Sequence, residues 1–391
     1  MSFRALFVAF SYVTAIVPAS FLLPRLGLRR RTQWLLSALL FLIASRFALC
    51  ALMYGRVFNP AWPVALSFAW TFLDSALLVF FFLQLPAYLF FRHLPLVGRR
   101  AVALILAVAA VSLAVVGILN CYRTPAVREV SLKFDGLPPE FDGYRIALLS
   151  DLHCSRLTPR SRFERIVRLT NAAEPDLVCI TGDCMDGWVD VLGEKLEPLS
   201  GFVAPDGVMA VAGNHEYTWS WDEWRPFLEA QGICVLENSW TNIVRGSNFI
   251  TVAGITDPYA ARPRKRGANG RCAFDRESFY PYPDHAAAFS GAPTNSFRIL
   301  LSHRPVGIPL ADRAYGVKLQ LSGHTHGGAY PGLGFFVGRC NDNHVRGLYS
   351  KGGIKLYVSP GIGQSASYPL RFFNPSEVTV ITLRRKRLES I

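Results

Sequence analysis

Residues 144–153 read YRIALLSDLH. The run Ile146–Leu149 has no polar residue to mark a solvent face, which suits a strand buried on both sides. It stops abruptly in Asp151 and His153, a carboxylate and an imidazole two residues apart. The same texture recurs in DLVCITG (176–182), GVMAVAG (207–213), FITVAGI (249–255), FRILLSH (297–303), KLQLSG (318–323), IKLYVSP (354–360) and EVTVITL (377–383). Between these runs, SRFERIVRLTNAA (161–173) and SWDEWRPFLEAQG (220–232) carry helical periodicity. Such a mixture predicts an α/β or mixed sandwich domain and not a repeat array. Residues 258–296 read as an ordered loop excursion, with RPRKRG (262–267) as a solvated charge run.

The polar residues just beyond the strands carry the chemistry. The second strand ends in Gly182-Asp183-Cys184-Met185-Asp186 and the third in Gly213-Asn214-His215-Glu216. FRILLSH ends on His303, and KLQLSG runs into His324 and His326 of LSGHTHGG (321–328). Five apolar strands thus present carboxylate, amide or imidazole at their carboxyl ends, where open α/β sheets bind ligands. Five of the eight histidines stand there. Taken one at a time, each signal has a bland reading as a turn or a satisfied core histidine; the conjunction does not. Helical zinc motifs space two histidines i, i+4 so that both face one way. Neighbouring side chains on an extended or looped backbone diverge, so the pair in GHTHGG is either incidental or divided between two centres.

The first third of the chain is of another kind. Net charge is +13, and residues 1–122 hold ten arginines, no lysine and one acid, Asp74. Those arginines lie between apolar runs at about 3–23, 33–53, 64–91 and 101–119, each long enough to cross a hydrocarbon core of about 30 Å. This is membrane-flanking charge, and it argues against a nucleic-acid partner. Four spans are expected, the third broken at Pro86. Arg25, Arg29, Arg30 and Arg31 in the first connection, and Arg92, Arg99 and Arg100 in the third, outweigh Arg56 in the second. Positive-inside logic then puts the downstream domain outside the cytoplasm, with the cytoplasmic face as the alternative. Arg46 and Asp74 fall at matching depths in adjacent spans and are expected to pair, as a polar pathway or as a structural clip. The cysteines show no CxxC ladder; Cys179 reads as core and Cys184 as filler.

The order D-x-H (151–153), G-D-x-x-D (182–186), G-N-H-E (213–216), His303 and G-H-x-H (323–326) resembles the calcineurin-like metallophosphoesterase family over about residues 128–384. The lead-in FDGYRIALLSDLH and the tail YVSPGIG…PLRFFNPSEVTVITL are similar to its bacterial membrane-associated YkuE/YaeI-like branch. The resemblance implies a multi-pass transmembrane region over 1–122, of about four helices. An α/β four-layer sandwich of two mixed β-sheets flanked by helices would occupy 123–391. It also implies a dinuclear site. Asp151, His153, Asp183 and His326 would bind one divalent ion, and Asp183, Asn214, His303 and His324 the other, with Asp183 bridging. His215 would face the substrate phosphate, and Asp186 and Glu216 would match motif positions without binding metal. Mixed nitrogen and oxygen ligands suit Mn, Fe or Zn, and a bridging carboxylate holds two cations about 3.5–4 Å apart. The expected activity is hydrolysis of a phosphodiester or pyrophosphate, lipid-linked or extracytoplasmic, by a metal-activated water. The alternative is a transport or sensing module in the membrane, regulated by the phosphoesterase domain.

Overall fold

In a computed structural model, YRIALLS forms a strand with Ile146–Leu149 wholly buried. The structure describes residues 3–54, 61–91, 93–261, 264–266, 272–275, 280–308, 314–328, 330, 333–364 and 368–386. The chain divides into two compact units, residues 1–121 with 365–372 and residues 122–364 with 373–391.

The larger unit contains β1 (Ala126–Phe134), β2 (Arg145–Leu149), β3 (Leu177–Ile180), β4 (Val208–Ala210), β5 (Ile233–Val235), β6 (Ser239–Arg245) and β7 (Asn248–Gly254). Further along the chain are β8 (Arg264–Arg266), β9 (Cys272–Asp275), β10 (Phe297–Leu301), β11 (Val317–Ser322), β12 (Gly347–Lys351), β13 (Ile354–Val358) and β14 (Glu377–Arg385). One six-stranded sheet runs β1-β14-β2-β3-β4-β5 and a second runs β12-β13-β11-β10-β7-β6. Both are mixed. β14 is antiparallel to β2, while β2, β3, β4 and β5 are mutually parallel. In the second sheet β7, β10, β11 and β13 are parallel, with antiparallel β6 and β12 at the two edges.

The two faces of each buried strand go to different cores. Ile146, Leu148, Leu177, Cys179 and Met209 pack between the sheets against Ile250, Val252, Ile299, Leu301, Leu319 and Leu321. Ala147, Leu149, Val178 and Ile180 point the other way, into the layer of Phe163, Ile166, Leu192, Trp221 and Trp224. On the far side of the second sheet, Leu300, Leu356 and Val358 cover Ala288 and Phe289. The two expected helices lie at Arg160–Asn171 and Trp221–Ala230, burying Phe163, Ile166, Val167 and Thr170, and Trp221, Trp224 and Leu228, at helical spacing. The excursion at 258–296 is not all loop. It holds the antiparallel hairpin β8–β9 and a short helix, His285–Ala288. The side chains of RPRKRG lie outside the described residues. Cys179 and Cys184 are core residues, and no disulfide joins the described cysteines.

The smaller unit is helical: α1 (Phe3–Val17), α2 (Arg30–Ala44), α3 (Arg46–Tyr54), α4 (Val64–Phe91) and α5 (Leu96–Tyr122). Three stretches are each long and apolar enough to cross a membrane, Ala5–Leu26, Val64–Phe91 and Leu96–Tyr122. The fourth expected span is the pair α2 and α3, bent by 48°. The break therefore falls at Ser45, and α4 runs on through Pro86. Carbonyls freed at that break must find donors inside apolar surroundings. Ser11 Oγ donates to the Ala44 carbonyl at 2.8 Å, and Trp70 Nε1 to that of Ile43 at 2.9 Å. Arg46, just past the break, meets Asp74 of α4 with both Nε and Nη2 at 3.0 Å from Oδ2. The guanidinium also lies 4.0 Å from the Phe47 ring centroid.

A buried ion pair acts mainly through the cost of orphaning either member. Arg46→Leu alone should destabilise the chain by about 3–5 kcal/mol, whereas Arg46→Leu with Asp74→Leu should recover most of that loss. Chemical denaturation in detergent would read the difference. A double variant as unstable as the single one would contradict the clip reading.

Candidate metal centre

The strand ends turn sharply because the backbone enters the left-handed region there. Asp151 (φ 53°), His153 (45°), Asp183 (55°), His324 (70°) and His326 (50°) all have positive φ. For L-residues this conformation costs about 1–2 kcal/mol each. Cross-loop hydrogen bonds hold it: Asp151 N–H to the Gly182 carbonyl at 2.9 Å, His153 N–H to that of Asp183 at 3.0 Å, and Gly323 N–H to that of His303 at 2.9 Å. The buried Glu216 carboxylate accepts from Asp183 N at 2.9 Å, Gly213 N at 2.8 Å and Cys184 N at 2.6 Å. Two glycines allow the close approach. A Cβ on Gly323 would fall 1.7 Å from Ser150 Oγ, and one on Gly213 would fall 2.3 Å from Asp183 Oδ1.

The side chains delivered in this way converge in two groups that share one oxygen. In the first, His153 Nε2 and His326 Nε2 are 3.0 Å apart, and Asp151 Oδ1 is 3.6 Å from His326 Nε2 and 3.9 Å from His153 Nε2. Asp183 Oδ2 is 3.9 Å from the same His153 nitrogen. In the second, that Asp183 oxygen is 3.3 Å from His303 Nε2, which is 3.0 Å from His324 Nδ1. Donors each about 2.0–2.1 Å from one cation stand about 3–4 Å from one another. GHTHGG thus sends its two imidazoles to two different groups.

The unsatisfied atoms point to the same centres. Asp151 Oδ2 accepts from Ser150 Oγ at 2.6 Å and His324 N at 3.0 Å, but its Oδ1 is buried without a partner. Asn214 Oδ1 is also buried without one. An orphaned buried acceptor is costly, and a divalent cation is the partner that nitrogen and oxygen donors of this kind fit. The far ring nitrogens fix the tautomers. His303 Nδ1 donates to the Thr181 carbonyl at 2.7 Å and His153 Nδ1 to Asp186 Oδ1 at 3.1 Å, which leaves both Nε2 lone pairs facing inward.

Charge follows from these contacts. Burial pushes the Asp183 carboxyl up, but His303 and His215 outweigh it and hold it well below the usual carboxylate range. Burial pulls His215 down, yet Asp183 and Asp186 raise it to about 10. His303 likewise reaches about 10 against its burial, through Asp183. Burial and the adjacent His303 push His324 well below its ordinary value, so it stays neutral with a free lone pair. His215 Nδ1 is 2.5 Å from Asp186 Oδ1, its Nε2 is 3.8 Å from Asp183 Oδ2, and its side chain is 19% exposed. It is therefore a cationic group at the open side of the cluster.

All seven residues expected as ligands and both expected catalytic residues lie on these loops, with Asn214 and His215 opening the short helix Asn214–Thr218. Asp186 and Glu216 matter more than their motif positions indicated. Asp186 lies between His153 and His215, and Glu216 ties three backbone N–H groups beneath Asp183. The loop after β13 was missed: Gly361 packs under Asp151, where an added Cβ would lie 2.8 Å from the Asp151 Cβ. Its signal was the Gly-x-Gly of SPGIG.

A profile of calcineurin-like phosphoesterases matches residues 144–328. A transmembrane protein with metallophosphoesterase domain from Danio rerio is 33% identical over 296 residues, covering 73% of this chain and 63% of its own. An uncharacterized metallophosphoesterase of Campylobacter jejuni is 31% identical over 294 residues, covering 75% and 72%. The uncharacterized metallophosphoesterase YkuE of Bacillus subtilis is 28% identical over 264 residues, covering 66% and 84%. This chain belongs to the calcineurin-like metallophosphoesterase family. It spans between 54% and 63% of the length of the animal relatives it matches.

Two measurements test the cluster. In chelator, the stability that His215 and His303 contribute is complete below their unfolded value of 6.5 and is lost as pH rises toward 10. Metal binding needs neutral histidines and gains with pH. Melts of the detergent-solubilised chain in EDTA should therefore fall in Tm from pH 6.5 to 10 while the rise on adding Mn2+ grows; a flat EDTA series would contradict the charge assignment. Asp186→Asn should weaken Mn2+ binding by about 10–100-fold without unfolding the chain, as read by calorimetric titration.

Proposed function

We propose that this chain is a membrane-anchored, dinuclear-metal phosphohydrolase whose substrate is a phosphodiester or pyrophosphate, lipid-linked or extracytoplasmic. The observation that carries this reading is the pair of donor groups meeting at Asp183 Oδ2, with the Asp151 and Asn214 oxygens buried beside them and unpartnered. Asp151, His153 and His326 would hold one cation and Asn214, His303 and His324 the other, with Asp183 shared. When bound, two such ions supply Lewis acidity and an activated water for in-line attack at phosphorus.

The chain's own groups then orient and balance charge. Asn214 contributes a neutral oxygen and so limits the negative charge of the donor set. His215, protonated and braced by Asp186, offers an N–H that can steady a phosphate oxygen or pass a proton to the leaving alkoxide. Asp183 keeps its charge because three histidines surround it, within 3.9 Å of its Oδ2. Taking α2 with α3 as one crossing, the arginine-rich first and third connections support an extracytoplasmic catalytic unit.

The purified full chain with Mn2+ should hydrolyse bis(p-nitrophenyl) phosphate, and Asp183→Ala should abolish that activity. Undiminished turnover in Asp183→Ala would sink the assignment. A carboxyl-terminal alkaline phosphatase fusion should be active, which only an extracytoplasmic terminus allows.

A further inference from the structure

Three phenylalanines of the larger unit stand in solvent: Phe335 at 68% exposure, Phe336 at 65% and Phe373 at 77%. Scattered exposed apolar residues need no explanation, but a cluster does. These three are tied to one another and to the metal-site loop. Phe335 and Phe336 sit on the helix Gly334–Arg339 with ring centroids 5.7 Å apart. Gly334 packs against Gly328 of the GHTHGG loop, with its Cα 3.0 Å from where a Gly328 Cβ would stand. Arg346 Nη1 donates to the Phe373 carbonyl at 3.2 Å and also to Asn374 Oδ1, and Asn374 Nδ2 donates to the Gly327 carbonyl at 2.7 Å. The three rings therefore hang from the loop that carries His324 and His326.

Cations accompany them. Arg339 is exposed, with its guanidinium carbon 5.4 Å from the Phe335 ring centroid, and Arg346 is exposed beside Phe373. The acid among them is Asp342, whose Oδ2 accepts from the Gly307 N–H at 3.1 Å. Exposed aromatics mixed with arginine match a membrane–water interface, where rings enter the acyl boundary and guanidinium groups meet anionic headgroups.

We infer that this aromatic patch docks into the headgroup layer of the bilayer that the chain's own helices span, and that the substrate is a phosphoester carried by a lipid in that bilayer. Chain continuity favours lipid over a second copy or a soluble protein. Phe373 directly follows Phe372, which with Leu370 packs against Gly117 of α5. Arg371 N–H donates to the Gly117 carbonyl at 3.0 Å, and Asn120 Nδ2 to the Arg371 carbonyl at 3.0 Å. One end of the patch is thus joined by a peptide bond to a segment held at the end of an apolar helix. The substrate part rests on the phosphohydrolase reading above.

The test uses the full chain in vesicles of phosphatidylcholine with a minority of phosphatidylglycerol. p-Benzoylphenylalanine placed at 335, 336 or 373 should form lipid adducts well above those at Val203, an exposed residue before the amino end of β4. Adducts at the Val203 level, or adducts between two copies of the chain, overturn the surface. F335S/F336S should lower hydrolysis of vesicle-borne polyprenyl pyrophosphate or phosphatidylglycerol by about tenfold or more, with bis(p-nitrophenyl) phosphate turnover unchanged. Equal losses on soluble and vesicle substrates, or no loss on the vesicle substrate, overturn the role of the patch. Wild-type turnover of the soluble diester without either lipid overturns the substrate class. Failure on all three substrates removes the phosphohydrolase reading itself, while the adducts still decide the surface.

Discussion

A single buried carboxylate organises the larger unit. Asp183 Oδ2 stands within 3.9 Å of His153, His215 and His303, which arrive from three separate loops. Its other oxygen accepts the His215 N–H at 2.8 Å, and its own N–H is held by Glu216. A carboxylate buried this deeply stays charged only if opposite charge or a cation faces it. That requirement fixes how the loops must close, because no loop can retreat without stranding the charge.

The left-handed backbone at five of the site residues follows from the same demand. Strands that ended in relaxed turns would aim these side chains along the sheet edge, not across the gap between the sheets. Strain of this sort persists where the surroundings over-determine it. Here the surroundings are the inter-sheet core, the three N–H groups on Glu216 and the contacts that only glycine permits at 213 and 323. Stability stored in the two sheets thus holds a converging set of donors in place, which is what preorganised electrostatics requires.

The helical unit solves a related problem with different means. The break at Ser45 leaves carbonyls that water cannot reach in a bilayer, and Ser11 and Trp70 satisfy them. Arg46 is neutralised by Asp74 from α4, so a charge that would be costly in hydrocarbon becomes a contact between neighbouring helices. A serine followed by an arginine in the middle of an apolar run already marked that run as the one to bend, whereas Pro86 drew attention to a helix that stays continuous.

The eight long apolar runs were legible because strands covered on both faces have no polar alternation to confuse the reading. The strands that were not legible, β1, β5, β6 and β12, are the four edges of the two sheets. Edge strands are half exposed, as in the pattern of AVREVSLKF, so their residues do not separate from loop. The ligand residues were likewise visible as polar ends of apolar strands. Sequence by itself determined which side chains the site has and that they come from five strand ends, since burial imposes a local composition on each strand. Only the tertiary structure decided that three of those ends belong to one sheet and two to the other, that Asp183 is shared between two groups, and that Asp186 and Glu216 brace them. Those facts depend on which loops meet in space, and no local pattern of residues encodes a meeting between segments so far apart in the chain.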